Sequence, residues 1–180
     1  MNTVAESLYP AYSVRTNALS DLGALGAQTG LLWNGQLFLS GLLSLLGMYL
    51  LFYRSDWPSS VGIRRKAAGL IYVLPPIGTI LVSLFPENYV LAVHAFAALM
   101  TFVLGGVSAV YAYRLTQPPF RYFSFLLGAI SLVSILLLGD QALGFGLAER
   151  LVVYPFVIWG VAFGSYLLAF SAQQASGQGQ

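Results

Sequence analysis

The charged residues of this 180-residue chain all lie outside five long apolar segments. These segments are residues 31–53, 67–85, 89–113, 122–139 and 151–170. Each is close to the roughly 20 residues that an α-helix needs to cross about 30 Å of hydrocarbon. With 58% hydrophobic and 8% charged residues, a soluble domain would have little polar surface to present to water. The sequence therefore predicts an all-α fold, a polytopic transmembrane helical bundle with five spans.

The spans divide the chain into three parts. Residues 1–30 form an outer polar segment with a short helix, residues 31–170 form the bundle, and residues 171–180 are expected to be a disordered tail. A net charge of +2 is explained by membrane topology, so we expect no nucleic-acid partner. The absence of cysteine from the sequence excludes disulfides, a thiolate nucleophile and cysteine metal sites.

The distribution of basic residues predicts the orientation of the bundle. Six of them lie in the loops after the first and third spans: Arg54, Arg64, Arg65, Lys66, Arg114 and Arg121. Only Arg15 and Arg150 fall on the other side. Because short loops rich in Lys and Arg stay in the cytoplasm, we expect a protein of the cell membrane with its N-terminus outside and its tail in the cytoplasm.

Small and hydroxyl residues recur at helical spacing in the spans. The third span carries His94, Ala98, Thr101, Gly105 and Ser108, the fourth carries Ser124, Gly128, Ser131 and Ser134, and the fifth has the GxxxG pair Gly160 and Gly164. Helices in lipid associate through close backbone approach and interhelical hydrogen bonds. We therefore interpret these stripes as packing faces.

The second span contains Pro75 and Pro76, which remove two amide donors and free carbonyls near Ile71 and Tyr72. A bend is predicted at this point. Packing is the favoured explanation, and the alternative is a broken helix that lines a ligand cavity.

The segment 9–23 is too polar to span a membrane and is expected to fold over the outer mouth of the bundle. Thr16, Asn17 and Ser20 can each cap a short helix, and Asp21 would lie in its first turn, where a carboxylate favours the positive end of the helix dipole. For Ser20 and Asp21, capping alone is the competing explanation for these residue types.

His94 is the only histidine, and it is predicted about 8 Å inside the outer end of the third span. An ionisable side chain at that depth usually faces the bundle interior and has a partner. The candidate partners on the same side are Asp21, Glu87, Asp140 and Glu149. An imidazole oriented by a carboxylate could act as a general base, with Ser20 as the nucleophile. A histidine hydrogen-bonded for stability is the alternative.

Neither a metal nor a cofactor is predicted. The sequence has no HxxxH, HExxH or aspartate-rich spacing that would gather metal ligands, and a single histidine is few for zinc. It also has no Gly-rich phosphate loop, nucleophile elbow or kinase-like signature.

Several motifs, in their order along the chain, resemble the domain of unknown function 998 family of prokaryotic membrane proteins. They are Tyr-Pro-Ala-Tyr-Ser at 9–13, Leu-Ser-Asp-Leu-Gly at 19–23, Phe-Pro-Glu-Asn at 85–88 with His94, and Glu149-Arg150 ahead of Tyr154-Pro155. The resemblance covers residues 6–170 and implies a compact bundle, usually of six spans, with the Ser-Asp-Leu-Gly motif between the first two. Only residues 4–8 remain here where a preceding helix would end, so either the chain starts late or this member has five spans. The resemblance supplies no reaction.

Three hypotheses for function follow. The first is an extracytoplasmic polar site for a lipid headgroup or small amphiphile, with hydrolase or transferase activity. In that hypothesis His94, Ser20, Asp21 and Glu149 are catalytic, while Arg15, Asn17, Glu87, Asp140 and Arg150 bind the ligand, the two arginines holding an anionic headgroup. The second is a non-enzymatic bundle that binds lipid or protein partners. The third is a small transporter subunit with its hinge at Pro75, although charge-free span centres argue against it. Assembly into a homo-oligomer is left open.

Overall fold

The structure is a computed structural model that describes residues 2–54 and 65–177. Six α-helices occur in these ranges: α1 (Asn2–Leu8), α2 (Gly30–Tyr49), α3 (Arg65–Leu84), α4 (Leu91–Ala112), α5 (Phe120–Ser134) and α6 (Phe145–Gly177). A 3₁₀ turn covers Ser20–Gly23, a π turn at Leu50–Arg54 extends α2, and a 3₁₀ turn at Ile135–Leu137 extends α5. No strand occurs among the described residues, so the predicted all-α fold is confirmed.

Among the described residues, four helical stretches are long and apolar enough to cross a membrane. They are Gly30–Phe52, Leu91–Ala112, Phe120–Leu137 and Phe145–Phe170. In α3 the apolar stretch is the shorter Gly69–Leu84, which at 1.5 Å per residue is about 24 Å long. That length falls short of the roughly 30 Å of a bilayer core. Whether α3 also spans the membrane, as the predicted count of five spans requires, therefore stays a prediction.

The ends of the chain differ from the expected boundaries. The helix α1 occupies the place where the family resemblance puts the end of a preceding helix. At the other end, α6 continues through residues 171–177, which were expected to be disordered, and residues 178–180 lie outside the described part. Arg64, one of the residues that predicted the orientation, is also outside the described residues.

Each helix from α2 to α6 packs mainly on its neighbours along the chain, and α4 also contacts α6. Direct contact between α2 and α6 is minimal. Away from the N-terminal segment, Tyr72, Trp159 and Phe163 form an aromatic core between α3 and α6. The bundle is thus tightly packed through α4 and loosely closed between α2 and α6.

The small-residue stripes of α4 and α5 lie at the interface between helices. Ser124, Gly128, Ser131 and Ser134 are all buried, as are His94, Thr101, Gly105 and Ser108. Ala98 of the α4 stripe is half-buried and lines a cavity described below. A Cβ atom on Gly128 would lie 2.7 Å from the backbone nitrogen of Val110, so only glycine allows α4 and α5 to approach this closely. Gly160 and Gly164, in contrast, are exposed with open space around them, and within the described residues this GxxxG pair is not a packing contact.

The prolines of α3 are accommodated by α4. Pro75 cannot donate to the carbonyl of Ile71, and the hydroxyl of Ser108 donates to that carbonyl instead, at 2.8 Å. In return, the Tyr72 hydroxyl donates to the carbonyl of Ser108 at 3.0 Å. Since the freed carbonyl is satisfied by a neighbouring helix, the packing explanation of the Pro75–Pro76 pair is the one that fits this part of the fold.

Candidate functional site

Residues 2–29 fold over one end of the bundle, which we call the capped end. Leu19 and Leu22 are buried there against Trp33 of α2. The hydroxyl of Thr29 donates to the carbonyl of Leu22 at 2.7 Å, and the side-chain amide of Asn34 donates to the carbonyl of Gly23 at 2.8 Å. These contacts fix the Ser20–Gly23 turn on the start of α2.

Arg150 holds the N-terminal segment to the start of α6. The residue is 4% exposed, and its guanidinium donates to Oε1 of Glu6 at 2.6 Å, to the hydroxyl of Tyr12, and to the carbonyls of Val14 and Asn17 at 3.1 Å each. Burial, opposed by the hydrogen bond and charge of Arg150, raises the pKa of Tyr12 to about 12, so this hydroxyl stays protonated. Both terminal nitrogens of the guanidinium thus bond to the chain itself, and the predicted role of Arg150 in holding an anionic headgroup stays a prediction.

Gly146 allows this docking. A Cβ atom at that position would lie closer to the carbonyl oxygen of Asn17 than any real side chain does, and 2.7 Å from the carbonyl oxygen of Val14. The amide of the next residue, Leu147, donates to the carbonyl of Arg15 at 3.3 Å. The first turn of α6 therefore packs directly on the backbone of residues 14–17.

A carboxyl cluster lies beneath the segment, where Asp21, Glu87 and Glu149 approach one another. Asp21 accepts hydrogen bonds from the Asn17 side chain at 2.8 Å and the Ala18 amide at 3.1 Å. Ser20 donates its hydroxyl proton to Oε2 of Glu87 at 2.6 Å. Burial, together with the nearby Asp21 carboxyl, raises the pKa of Glu87 from 4.5 to about 7, so this cluster exchanges a proton near neutral pH.

Glu149 completes the cluster from α6. Its Oε2 accepts the backbone amide of Leu19, and the residue is only 6% exposed. Among the described residues, its second oxygen, Oε1, accepts no hydrogen bond. The charges of Asp21 and Glu87 are close enough to repel that of Glu149. A buried carboxylate with one unused oxygen beside two others can accept a proton or a cation.

His94 lies beside this cluster but does not bind it directly. Its Nδ1 hydrogen-bonds the carbonyl of Phe85 at 2.8 Å, rather than one of the carboxylates expected from the sequence. Because a carbonyl only accepts, Nδ1 carries the proton, and in the neutral ring Nε2 has a free lone pair. In the described part of the chain Nε2 has no hydrogen-bond partner. The ring is 8% exposed.

Two of the predicted site residues lie apart from the others. Arg15 is exposed and donates to the carbonyl of Ala142 at 2.7 Å. Asp140 is also exposed, and its Oδ1 accepts the amides of Ala142 and Leu143 at 2.8 and 3.1 Å, closing the turn before α6. Asp140 therefore serves the turn and does not partner His94.

A cavity of about 560 Å³ runs from the carboxyl cluster into the bundle between α2 and α6. That volume lies within the roughly 300–1,000 Å³ typical of small-molecule sites. At its capped end the lining includes Leu19, Ser20, Trp33, His94 and Glu149, and farther in it includes Gln36, Ser40, Gly41, Ser44, Pro76, Thr79, Ala98, Thr101, Phe102, Val153, Phe156, Val157, Gly160 and Val161. Three predicted site residues, Ser20, His94 and Glu149, thus meet at one cavity.

Several residues of this site were missed from the sequence. Trp33, Gln36 and Phe156 line the cavity, but in the sequence they are indistinguishable from other residues of apolar spans. Asn88 exchanges two hydrogen bonds with the backbone of Leu25, at 2.7 and 3.1 Å, and so ties the α3–α4 turn to the N-terminal segment. The Phe-Pro-Glu-Asn motif at 85–88 was the available signal for Asn88.

Among the described residues, no group of three or more His, Asp and Glu side chains has the arrangement needed to hold a metal ion. The carboxyl cluster has hydrogen-bond donors around it instead, from Ser20, Asn17 and the Leu19 amide.

By the length and composition of its helices, this chain is a multi-pass membrane protein. A family model described as a protein of unknown function (DUF998) matches residues 2–166, and the chain belongs to that family, as its motifs predicted. No curated protein and no solved structure matches it.

Proposed function

We propose that this protein binds an amphiphile in the cavity between α2 and α6, with the headgroup at the capped end and an alkyl tail along the two helices. The observation that carries this proposal is the distribution of polar and apolar residues along the cavity. Its ionisable lining residues, Glu149 and His94, lie at the capped end, and its remaining lining is mostly apolar. A molecule with one polar and one apolar end matches that arrangement.

The hydroxyl groups deeper in the cavity do not alter its apolar character. Ser40 donates to the carbonyl of Leu37 at 2.9 Å, Thr79 to that of Pro75 at 3.1 Å, and Thr101 to that of Ala97 at 3.0 Å. Because these hydroxyls are satisfied within their own helices, the wall they leave to a ligand is largely methyl and methylene groups.

The depth of the cavity suits a tail from one leaflet. Its lining extends from Trp33 to Ser44 along α2 and from Glu149 to Val161 along α6. At 1.5 Å per residue these distances are about 16 and 18 Å, close to half of the roughly 30 Å hydrocarbon core. With the orientation expected from the basic loops, the capped end lies outside and the ligand comes from the outer leaflet of the cell membrane. The minimal contact between α2 and α6 provides the lateral access.

Acyl hydrolysis or transfer is a second candidate function, favoured by the 2.6 Å hydrogen bond from Ser20 to Glu87. Glu87, whose pKa is about 7, takes the proton of Ser20 as Oγ bonds to an ester carbonyl carbon. The carbon–oxygen bond to the alcohol then breaks and the alcohol leaves with that proton. Water, or a second alcohol in a transferase, releases the acyl group from Ser20. In this scheme Glu87 replaces His94 as the base for Ser20, and His94 Nε2 orients the incoming hydroxyl.

Binding can be tested with the purified protein in phosphatidylcholine nanodiscs. The ligand is dodecyl maltoside with a brominated tail, because bromine quenches indole fluorescence on contact. Trp33 lines the cavity, so we expect saturable quenching that Trp33→Phe removes. Gly160→Phe should abolish it, because Gly160 lines the cavity and has open space for a ring. Gly164→Phe is the matched control, since Gly164 is one turn further along α6 and outside the cavity lining. Equal quenching in both glycine variants would overturn the proposal.

The catalytic candidate has its own test in the same nanodiscs. Release of nitrophenol from p-nitrophenyl laurate should be lost in Ser20→Ala while maltoside quenching is kept. Turnover that survives Ser20→Ala would remove Ser20 as the nucleophile. An absence of turnover in the unaltered protein would leave binding as the function.

A further inference from the structure

We propose that the ligand of this cavity carries a protonated amine at its headgroup, so that the site selects cationic amphiphiles over neutral and anionic ones. This inference rests on the proposed amphiphile site. It comes from the charges that line the capped end and from two acceptors there that lack hydrogen-bond partners.

The ionisable side chains at the capped end of the cavity are mainly carboxyl groups. Glu149 lines the cavity directly, and Ser20, which also lines it, is bonded to Glu87. Among the described residues, no Lys or Arg lines the cavity. Arg150, the neighbour of Glu149 in sequence, is paired with Glu6 at 2.6 Å and directed into the N-terminal segment. An anionic headgroup would therefore meet like charge in a site of low dielectric, and a cation would relieve the repulsion already present.

The free hydrogen-bonding groups at this end are acceptors, so they favour a ligand that donates. Oε1 of Glu149 and Nε2 of His94 both accept and, within the described ranges, neither has a partner. Both side chains are more than nine-tenths buried and line the cavity. A protonated amine has up to three N–H donors for such acceptors and an alkyl stem that can continue into the apolar part. A quaternary ammonium has the charge but no donor.

Binding of a cation is linked to protons. The titratable and charged groups around Glu87 are Asp21 and Glu149, with the Ser20 hydroxyl bonded to it and His94 on α4 lining the same cavity. Since the pKa of Glu87 is about 7, the cluster holds a proton near neutral pH that a bound cation would displace. Between pH 6 and pH 8 the affinity for an amine should therefore rise about tenfold, because the free cluster ionises over that interval.

The experiment compares four amphiphiles with the same brominated dodecyl tail: the primary amine, the trimethylammonium, the maltoside and the sulfate. Binding is measured through Trp33 quenching in neutral phosphatidylcholine nanodiscs at pH 8. We expect the amine to bind most tightly, followed by the trimethylammonium, and the sulfate to bind least tightly. In Glu149→Gln the advantage of the amine over the maltoside should fall about tenfold, the scale of one charge-assisted hydrogen bond.

Asp140→Asn is the matched control, because it removes one carboxylate from the capped end outside the cavity lining. It should leave the amine preference unchanged. Sulfate binding as tight as amine binding, or an amine preference that survives Glu149→Gln, would overturn the headgroup inference while maltoside binding kept the proposed function. If no amphiphile gave quenching sensitive to Gly160→Phe, the proposed function itself would fall, and the headgroup inference with it.

Discussion

Ser20 and Glu87 are joined by a 2.6 Å hydrogen bond across 67 positions of sequence. It connects the Ser20–Gly23 turn to the α3–α4 turn, where the next residue, Asn88, bonds the backbone of Leu25. The N-terminal segment is therefore fastened to the turn that also positions His94, whose Nδ1 bonds the carbonyl of Phe85. A substitution at Glu87 should therefore alter both the docking of the N-terminal segment and the ionisation of the carboxyl cluster.

Glu87 makes the stability of the protein depend on pH. Its pKa is about 7 in the folded protein and 4.5 when unperturbed, so between these values the folded state binds more protons than the unfolded state. Stability then falls as pH rises. We expect the thermal midpoint in nanodiscs to decrease from pH 5 to pH 8, with the slope reduced in Glu87→Gln, which keeps an acceptor for Ser20. A midpoint that rises over this interval in the unaltered chain would contradict the assignment.

Much of the fold was predictable because it follows from apolar length and small-residue spacing. The stripe of Ser124, Gly128, Ser131 and Ser134 was predicted to pack, and all four residues are buried. The Gly160–Gly164 pair has the same spacing and is exposed. Gly160 lines the cavity, and no atom lies within 4 Å of a Cβ built on either glycine. The helical spacing of small residues does not reveal which faces pack together.

Only part of the candidate site could be grouped from the sequence, and its hydrogen-bond pairings could not. Topology places every polar residue of the outer turns at one end, so Ser20, His94 and Glu149 could be grouped from the sequence. Which donor meets which acceptor depends on side-chain reach. Arg150 bonds Glu6 and the backbone instead of facing the cavity, and His94 bonds a carbonyl instead of a carboxylate.

Arg150 should be the most important single side chain for docking the N-terminal segment. Its pair with Glu6 is buried, with side chains 5% and 16% exposed, and removing one member of such a pair costs about 3 to 5 kcal/mol. We expect Arg150→Met to lower the thermal midpoint strongly and to expose the segment 9–23 to protease. Gly146→Ala should have the same effect on protease sensitivity without removing a charge, because its Cβ would displace the carbonyl of Asn17. Resistance to protease in both variants would show that the segment is held by other contacts.

Gly128 should be intolerant of even a methyl group. Its Cβ would lie 2.7 Å from the backbone nitrogen of Val110 and 2.8 Å from the carbonyl oxygen of Gly106, and backbone atoms in a helix cannot move aside alone. We expect Gly128→Ala to destabilise the bundle by about 1 to 3 kcal/mol, the usual cost of overpacking. Gly164→Ala, with nothing within 4 Å of its Cβ, should be neutral or stabilising by up to about 1 kcal/mol. The measurement is the thermal midpoint of each of the two variants. Similar midpoints would show that Gly128 is not a close contact between α4 and α5.

The proposed orientation can be tested cleanly because the chain contains no cysteine. Thr3→Cys places a thiol on exposed α1 at the capped end, and Ser59→Cys places one in the basic loop, outside the described residues. Since basic loops stay in the cytoplasm, an impermeant maleimide should label Thr3→Cys in intact cells, and Ser59→Cys only after the membrane is permeabilised. Labelling in the reverse order would put the carboxyl cluster and the cavity mouth on the cytoplasmic side. The ligand would then have to come from the inner leaflet, while the cavity and its charge would be unchanged.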